Sequence, residues 1–285
     1  MNYDITQRIQ SAIGSFSKGQ KRIAAVILEN YDKAAYMTAS RLGELANVSE
    51  STVVRFAGQL GYDGYPELQR AVQELVRIKL TPNQRIAVTN QRIGEGNVLE
   101  SVLQSDIDKI KYTLDNTDRH AFQRAVDLLL GAKTIYIMGV RSSATLASFL
   151  AFNFHLIFDN VHFVETSSTS EVFEQILEIG PDDVFFAMTF PRYSKKILKA
   201  ATYARNQGAA VIGLTDSSVS PLAEFSTCLL TAQSDMASFV DSLVAPLSII
   251  NAIIVAVTRE KESEVSARFD RLEHLWDEYD VYDKH

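Results

Sequence analysis

Residues 37–65, "MTASRLGELANVSESTVVRFAGQLGYDGY", decide how the first part of the chain folds. Thr38 is placed to cap a helix carrying Leu42, Leu45 and Ala46. Asn47-Val48 then turns the chain, and Ser49 is placed to cap a second helix, with Val48 and Val53 as a hydrophobic staple across its start. Two short helices joined by a tight turn make a helix-turn-helix. On the second helix Val53, Ala57 and Leu60 are spaced to face a core, which leaves Glu50, Ser51, Thr52, Arg55 and Gln59 outward, with Ser49 at the entrance. Short polar side chains around one arginine suit a helix entering a major groove, where Ser and Thr reach phosphates or base edges and Arg bonds guanine bidentately. A helical hairpin with a polar surface has the same spacing, so the pattern alone leaves both readings open.

Outward from this stretch the pattern stays helical from Lys18 to about Leu80, with Ile23, Val26 and Ile27 at helical spacing. Residues 81–97, "TPNQRIAVTNQRIGEGN", contain Pro82, Gly94, Gly96 and several amides, and are expected to be a linker or irregular connection. A second helical stretch runs from about Val98 to Leu130, where Thr117 or Asp118 is placed to cap a helix with Phe122, Val126 and Leu129 on its apolar face. After Gly131 the period changes. "TIYIMGV", "VHFVET", "DVFFAM", "AVIGLTD" and "TCLLTA" are β-rich runs, most of them separated by helical segments. Alternating strands and helices imply a parallel sheet covered on both faces, with ligands bound beyond the carboxyl ends of the strands. The expected division is a helix-turn-helix domain over 1–80, a linker over 81–97, and an α/β domain with flanking helices over 98–285.

Composition fits two folded domains: of 285 residues, 46% are hydrophobic and 22% charged. The net charge of -7 argues against nucleic-acid binding only until it is divided: residues 1–80 carry ten Lys/Arg against eight Asp/Glu, so the acidity resides in the rest. The first twenty residues lack a basic segment followed by an apolar one and do not read as a signal peptide. "LVAPLSIINAIIVAV" is short for a bilayer span, and is expected to be a buried helix. A single cysteine, Cys228, excludes an intrachain disulfide and reads as a small core residue in a chain of the cytoplasm. His120, His162, His274 and His285 show no metal-ligand spacing, and His155 sits in an apolar segment as a packing residue. No metal and no cofactor is expected.

"GQKRIAAVILENYDKAAYMTASRLGELANVSESTVVRFAGQLGYDGYPELQRAV" resembles the DNA-binding domain of the RpiR family of bacterial transcription regulators over nearly its whole length. The likeness rests on "IAAVILEN", "LGELANVSESTVVRF" and "LGYDGYPEL". RpiR regulators carry a sugar isomerase (SIS) domain, and residues from about 121 to 260 are similar to one, including "SPLAE" at 220–224. The resemblance implies a doubly wound, flavodoxin-like sheet that binds a phosphosugar or other carbohydrate derivative. Two ligand loops depart from the SIS pattern. Where that pattern has Gly-x-Gly-x-Ser, "IMGVRSSA" keeps Gly139 and Ser143 but places Arg141 at the second glycine. Where it has Ser-x-Ser-Gly-x-Thr, "TFPRYS" keeps hydroxyls at Thr189 and Ser194 but has Pro191 and Arg192 in the middle.

Arginine in place of glycine loses close backbone approach to a phosphate and supplies a planar cation able to hold an oxyanion through paired hydrogen bonds. The expected anion site comprises Arg141, Ser142, Ser143, Thr189, Arg192, Tyr193 and Ser194, with Glu165 and Glu171 available to ligand hydroxyls. A sugar acid satisfies such arginines as well as a sugar phosphate does. The competing reading pairs Arg141 and Arg192 with Glu165 or Glu171 and leaves nothing to bind. An aldose-ketose isomerase with an accessory helical domain is the alternative function; it needs a positioned base, and neither glutamate sits in a catalytic motif. The expectation is a regulator, not an enzyme, that binds a double-stranded operator. It would act as a homodimer, with a tetramer left open, because one helix-turn-helix reads half of a palindrome.

Overall fold

The computed structural model describes residues 5–79, 81–94, 96–165 and 168–282. It divides into two compact units, Met1–Asn97 with Met236–Asp241, and Val98–Asp235 with Ser242–His285. The expected boundary residue Leu80 and the side chain of His285 lie outside the described residues.

The first unit is helical: α1 (Ile5–Ala12), α2 (Lys18–Glu29), α3 (Tyr31–Ala34), α4 (Ala39–Leu45), α5 (Glu50–Gln59), α6 (Tyr65–Lys79) and α7 (Pro82–Ile93). Ile23, Ile27, Leu42, Val53, Phe56 and Leu68 fill its core, and Phe16 meets Phe56 edge-on at 5.1 Å. Burying one such side chain contributes about 1.5–3 kcal/mol, so α5 is held chiefly by Val53, Phe56 and Ala57 on its inner face. Ser17 and Gln20 form a reciprocal capping box that starts α2.

The expected linker over 81–97 is corrected: Pro82–Ile93 is a helix. Thr81 and Gln84 form a capping box, and Pro82 stands at the first turn, where its missing N–H is no loss. The segment lacks an apolar stripe because its buried residues include Arg85 and Thr89. Arg85 donates to the Phe239 carbonyl at 2.9 Å and pairs with Asp241, both from the 236–241 segment, whose Met236 is buried in the same helical core.

The second unit begins with α8 (Val98–Asn116) and α9 (Arg119–Gly131), the latter capped by Asp118, whose carboxylate accepts from the His120 and Ala121 amides. There follow β1 (Ile135–Gly139), α10 (Ser142–His155), β2 (Val161–Phe163), α11 (Thr169–Gln175), β3 (Val184–Met188), α12 (Lys195–Asn206), β4 (Ala210–Thr215), β5 (Cys228–Thr231), α13 (Val244–Glu260) and α14 (Glu262–Glu278). All five strands are parallel, in the order β2-β1-β3-β4-β5. Alternate side chains enter opposite layers: Ile135, Ile137, Val184 and Phe186 pack with α9, α10 and α13, and Tyr136, Met138, Phe185 and Ala187 pack with α11 and α12. Between β1 and β3 the winding direction reverses, and in such sheets ligands bind beyond the carboxyl ends of the strands at this point. Cys228 is buried, its thiol pushed up by that burial, and donates to the Ala121 carbonyl. Among the described residues no helix is long and apolar enough to cross a membrane.

Candidate nucleic-acid interface and anion site

In the helical unit α4 and α5 meet at a turn that only a few residue types allow. Asn47 takes a left-handed backbone, φ 53°, and the Val48 amide donates to the Gly43 carbonyl at 2.8 Å. A Cβ on Gly43 would lie 2.9 Å from the Val48 carbonyl oxygen, so glycine is required for this approach. Arg22 of α2, unremarked in the sequence, fastens the turn: its guanidinium donates to the Ala46 carbonyl at 2.9 Å and the Asn47 carbonyl at 2.8 Å. Such carbonyl-directed capping leaves no pattern in the sequence, because the residues are more than twenty positions apart.

The outer face of α5 carries Glu50, Ser51 and Arg55 exposed and Thr52 half-buried. Thr38 caps α4 as expected, but Ser49 does not cap α5 through its side chain. Its hydroxyl lies instead 3.0 Å from that of Ser51 and 2.8 Å from that of Thr52, forming a hydroxyl cluster at the start of the helix. Arg55 donates to the Ser51 carbonyl at 3.3 Å through Nε and is exposed. Gln59 is turned to its own domain, donating to the Ser15 hydroxyl at 3.1 Å and accepting from Gln20. Val54, which the spacing assigns to neither face, is exposed beside Arg55. Ser17, Gln20, Arg22, Ser49, Thr52 and Arg55 line a concave surface of about 500 Å³.

In the α/β unit, the β1–α10 and β3–α12 loops lie side by side because Gly139 pairs with Met188. A Cβ on Gly139 would sit 2.2 Å from the Ser143 carbonyl oxygen, so the retained glycine lets α10 start directly against the strand. Arg141, just before α10, has φ 58° and ψ -125°, and Arg192 has φ 67°. Both arginines therefore occupy the backbone region that favours glycine and that costs other residues about 1–3 kcal/mol. Among the described residues no ion pair joins either guanidinium to a carboxylate, and both are exposed.

The hydroxyls divide into two groups. Ser143 is buried; its hydroxyl accepts from the Val140 amide at 3.0 Å and lies 3.0 Å from the Met188 carbonyl, so it locks the two strand ends together. Thr189 is also buried and accepts from the Ser194 amide at 3.1 Å. Ser142 is exposed in the first turn of α10, and Ser194 is half-buried at the start of α12. Tyr193 donates to Asp216 at the end of β4 at 3.0 Å, which fixes the ring beside Arg192. Asp216, missed in the sequence, is oriented in turn by the Thr215 hydroxyl at 3.1 Å. Glu165 and Glu171 are both exposed and follow β2 at the same edge of the sheet.

Residues 3–77 match the model of the helix-turn-helix domain of the rpiR family, and residues 128–256 match the SIS domain. The chain belongs to the RpiR family. It is 27% identical to the HTH-type transcriptional regulator HexR of Pseudomonas aeruginosa, over 94% of each chain. It is 27% identical to HexR of Escherichia coli, covering 94% of this chain and 96% of that protein. Among solved structures, Vibrio vulnificus NanR complexed with ManNAc-6P shares the fold with a TM-score of 0.60 and 23% identity, over 96% of this chain and 98% of NanR. The sugar isomerase domain of an RpiR transcription factor from Sphaerobacter thermophilus aligns with a TM-score of 0.57 and 23% identity, over 61% of this chain and 97% of that one. The protein is thus a helix-turn-helix transcriptional regulator with a SIS domain.

Proposed function

We propose that the SIS domain senses a sugar-derived anion held between Arg141 and Arg192, and that its binding changes the affinity of the helix-turn-helix unit for an operator. The observation that carries this reading is the pair of positive φ angles. Two arginines stand at adjacent strand ends, in backbone conformations where glycine would be unstrained. Strain kept at a ligand edge is consistent with a function in the side chains that replace glycine. Each guanidinium offers a planar fork for a phosphate or carboxylate, Ser142 and Ser194 add hydroxyls at helix starts, and Tyr193 presents a ring face to a sugar. NanR, complexed with ManNAc-6P on the same fold, supports a phosphorylated sugar over a sugar acid.

On the DNA side, Ser49, Ser51 and Thr52 form the phosphate-reaching cluster, Arg55 reads a base edge, and Val54 is placed to meet a thymine methyl. Glu50 stands at the mouth of the groove as a carboxylate that rejects a misplaced phosphate or accepts from cytosine. Gln59 contributes by bracing α5. Exposed Glu165 and Glu171 suit hydrogen bonds to ligand hydroxyls better than a shielded base, which favours a sensor over an isomerase. The regulator would work in the cytoplasm, where its operator and effector meet.

The test is operator binding by fluorescence anisotropy, titrated with sugar phosphates and sugar acids, for the natural chain and Arg192→Ala. The reading requires an effector that shifts operator affinity in the natural chain and fails to do so in the mutant. Steady conversion of that effector into an isomer would replace sensing by catalysis.

A further inference from the structure

Helix α8 is anchored by polar side chains. Lys109 and Thr113 are its buried residues, 4% and 5% exposed, and its inward face is held by polar contacts. The Lys109 ammonium donates to the Ser105 hydroxyl at 2.6 Å and lies 3.6 Å from Asp106. Asp106 accepts from the Ser242 hydroxyl at 2.7 Å, and the Thr113 hydroxyl oxygen accepts from the Gln233 amide at 2.9 Å. A neighbouring face, about a quarter-turn round the helix, carries Leu99, Leu103, Ile107, Ile110 and Leu114, with Leu99 68%, Ile107 56% and Leu114 64% exposed. An isolated amphipathic helix would turn that stripe to its own core. Here polar side chains are fastened inward by named hydrogen bonds, and the apolar stripe beside them is left exposed.

The stripe advances by four, four, three and four residues, and its last four members follow the alternation of a two-helix seam. It is also close to palindromic about Ile107. Laid antiparallel on a second copy, Leu99 meets Leu114, Leu103 meets Ile110, and Ile107 meets its own counterpart on the twofold axis. A self-complementary patch of this kind is what an isologous dimer needs. Five side chains more or less half exposed offer on the order of 500 Å² per protomer, against about 800 Å² from each partner in a standard interface, and Val98 and Tyr112 are exposed at its margins.

We infer that α8 is a dimerisation helix that pairs antiparallel with α8 of a second copy of this chain, with Ile107 at the axis. This deepens the proposed function and rests on it, together with the expectation that one helix-turn-helix reads only half of a palindromic operator. The test uses the full chain without DNA or effector, so it succeeds or fails independently of sensing. Ile107→Cys should give a covalent dimer under mild oxidation, because the chain's one natural cysteine is buried. Leu99→Cys and Leu114→Cys should cross-link when mixed and not when each is oxidised alone. Leu103→Asp should convert a dimer to a monomer in sedimentation, with its circular dichroism spectrum retained. A natural chain that sediments as a monomer overturns the proposal. So does a dimer in which Ile107→Cys stays uncoupled, and self-coupling of Leu99→Cys overturns the antiparallel register.

Discussion

Arg85 and Asp241, 156 positions apart, form a buried ion pair within the helical unit. The pair draws the 236–241 segment, whose neighbours on both sides belong to the SIS unit, into the helical unit beside α7. Asp241→Ala leaves a buried guanidinium without its partner, a change that costs about 3–5 kcal/mol. The helical unit of the mutant should unfold early in a denaturant titration followed by far-ultraviolet circular dichroism. Trp276, the one tryptophan, lies in α14 of the SIS unit, and its fluorescence transition should stay in place. A single transition at the natural midpoint in both signals would show that the pair does not hold the segment.

Arg141→Gly should raise stability while weakening effector binding. Glycine takes φ 58° and ψ -125° without strain, a gain of about 1–3 kcal/mol, partly offset by roughly 0.5–1 kcal/mol from the freer unfolded chain. The net expectation is about +1 kcal/mol in guanidinium unfolding, with a loss of effector affinity of tenfold or more. Lower stability in this mutant would mean that the arginine side chain makes contacts that outweigh its backbone strain.

Arg55→Ala removes an exposed cation from the outer face of α5 without touching its core. Operator affinity should fall by about 1–3 kcal/mol and discrimination at one base position should relax. Ser51→Ala should weaken operator and random DNA alike if its hydroxyl reaches a phosphate. Anisotropy with both DNA types at several salt concentrations separates the two roles, and unchanged affinity in a folded Arg55 mutant removes it from the interface.

Burial pushes the Tyr65 hydroxyl up to about 12, and it donates to the Met37 carbonyl at 2.6 Å. The unfolded chain loses this proton near pH 10 while the folded chain keeps it, so stability is full below pH 10 and declines as pH rises towards 12. The decline amounts to roughly 2–3 kcal/mol. Tyr65→Phe should be about 1 kcal/mol less stable at neutral pH and should lose the corresponding part of the alkaline decline. Equal alkaline slopes in the two proteins would place the titrating group elsewhere.

The alternating strands were legible in the sequence because each β-rich run is short and bounded by turn residues, and all five appear as strands in the sheet. The helix-turn-helix was legible for a different reason: Thr38, Val53 and Ala57 are local signals whose partners lie within one or two turns. What escaped were arrangements made by distant residues. Helix α7 was read as a linker because its inward residues are Arg85 and Thr89, which bury only when residues 236–241 supply partners. For Gln59 the pattern shows which side of the helix it occupies, not that it meets Ser15 and Gln20 there. Likewise the pattern does not show that the Ser143 hydroxyl meets Val140 and Met188, or that the Thr189 oxygen accepts from the Ser194 amide, at the strand ends. The two arginines were visible as departures from a glycine pattern. Their positive φ angles required coordinates.

The most direct measurement of the central claim is a thermal-shift screen of the purified chain against sugar phosphates and sugar acids, repeated with Arg192→Ala. A ligand present at 100 times its dissociation constant stabilises by about 2.7 kcal/mol, which is several degrees for a domain of this size. The account predicts at least one phosphorylated sugar that raises the melting temperature of the natural chain and leaves that of Arg192→Ala unchanged. An equal shift in both proteins would place the ligand away from the β3–α12 loop and contradict the assignment.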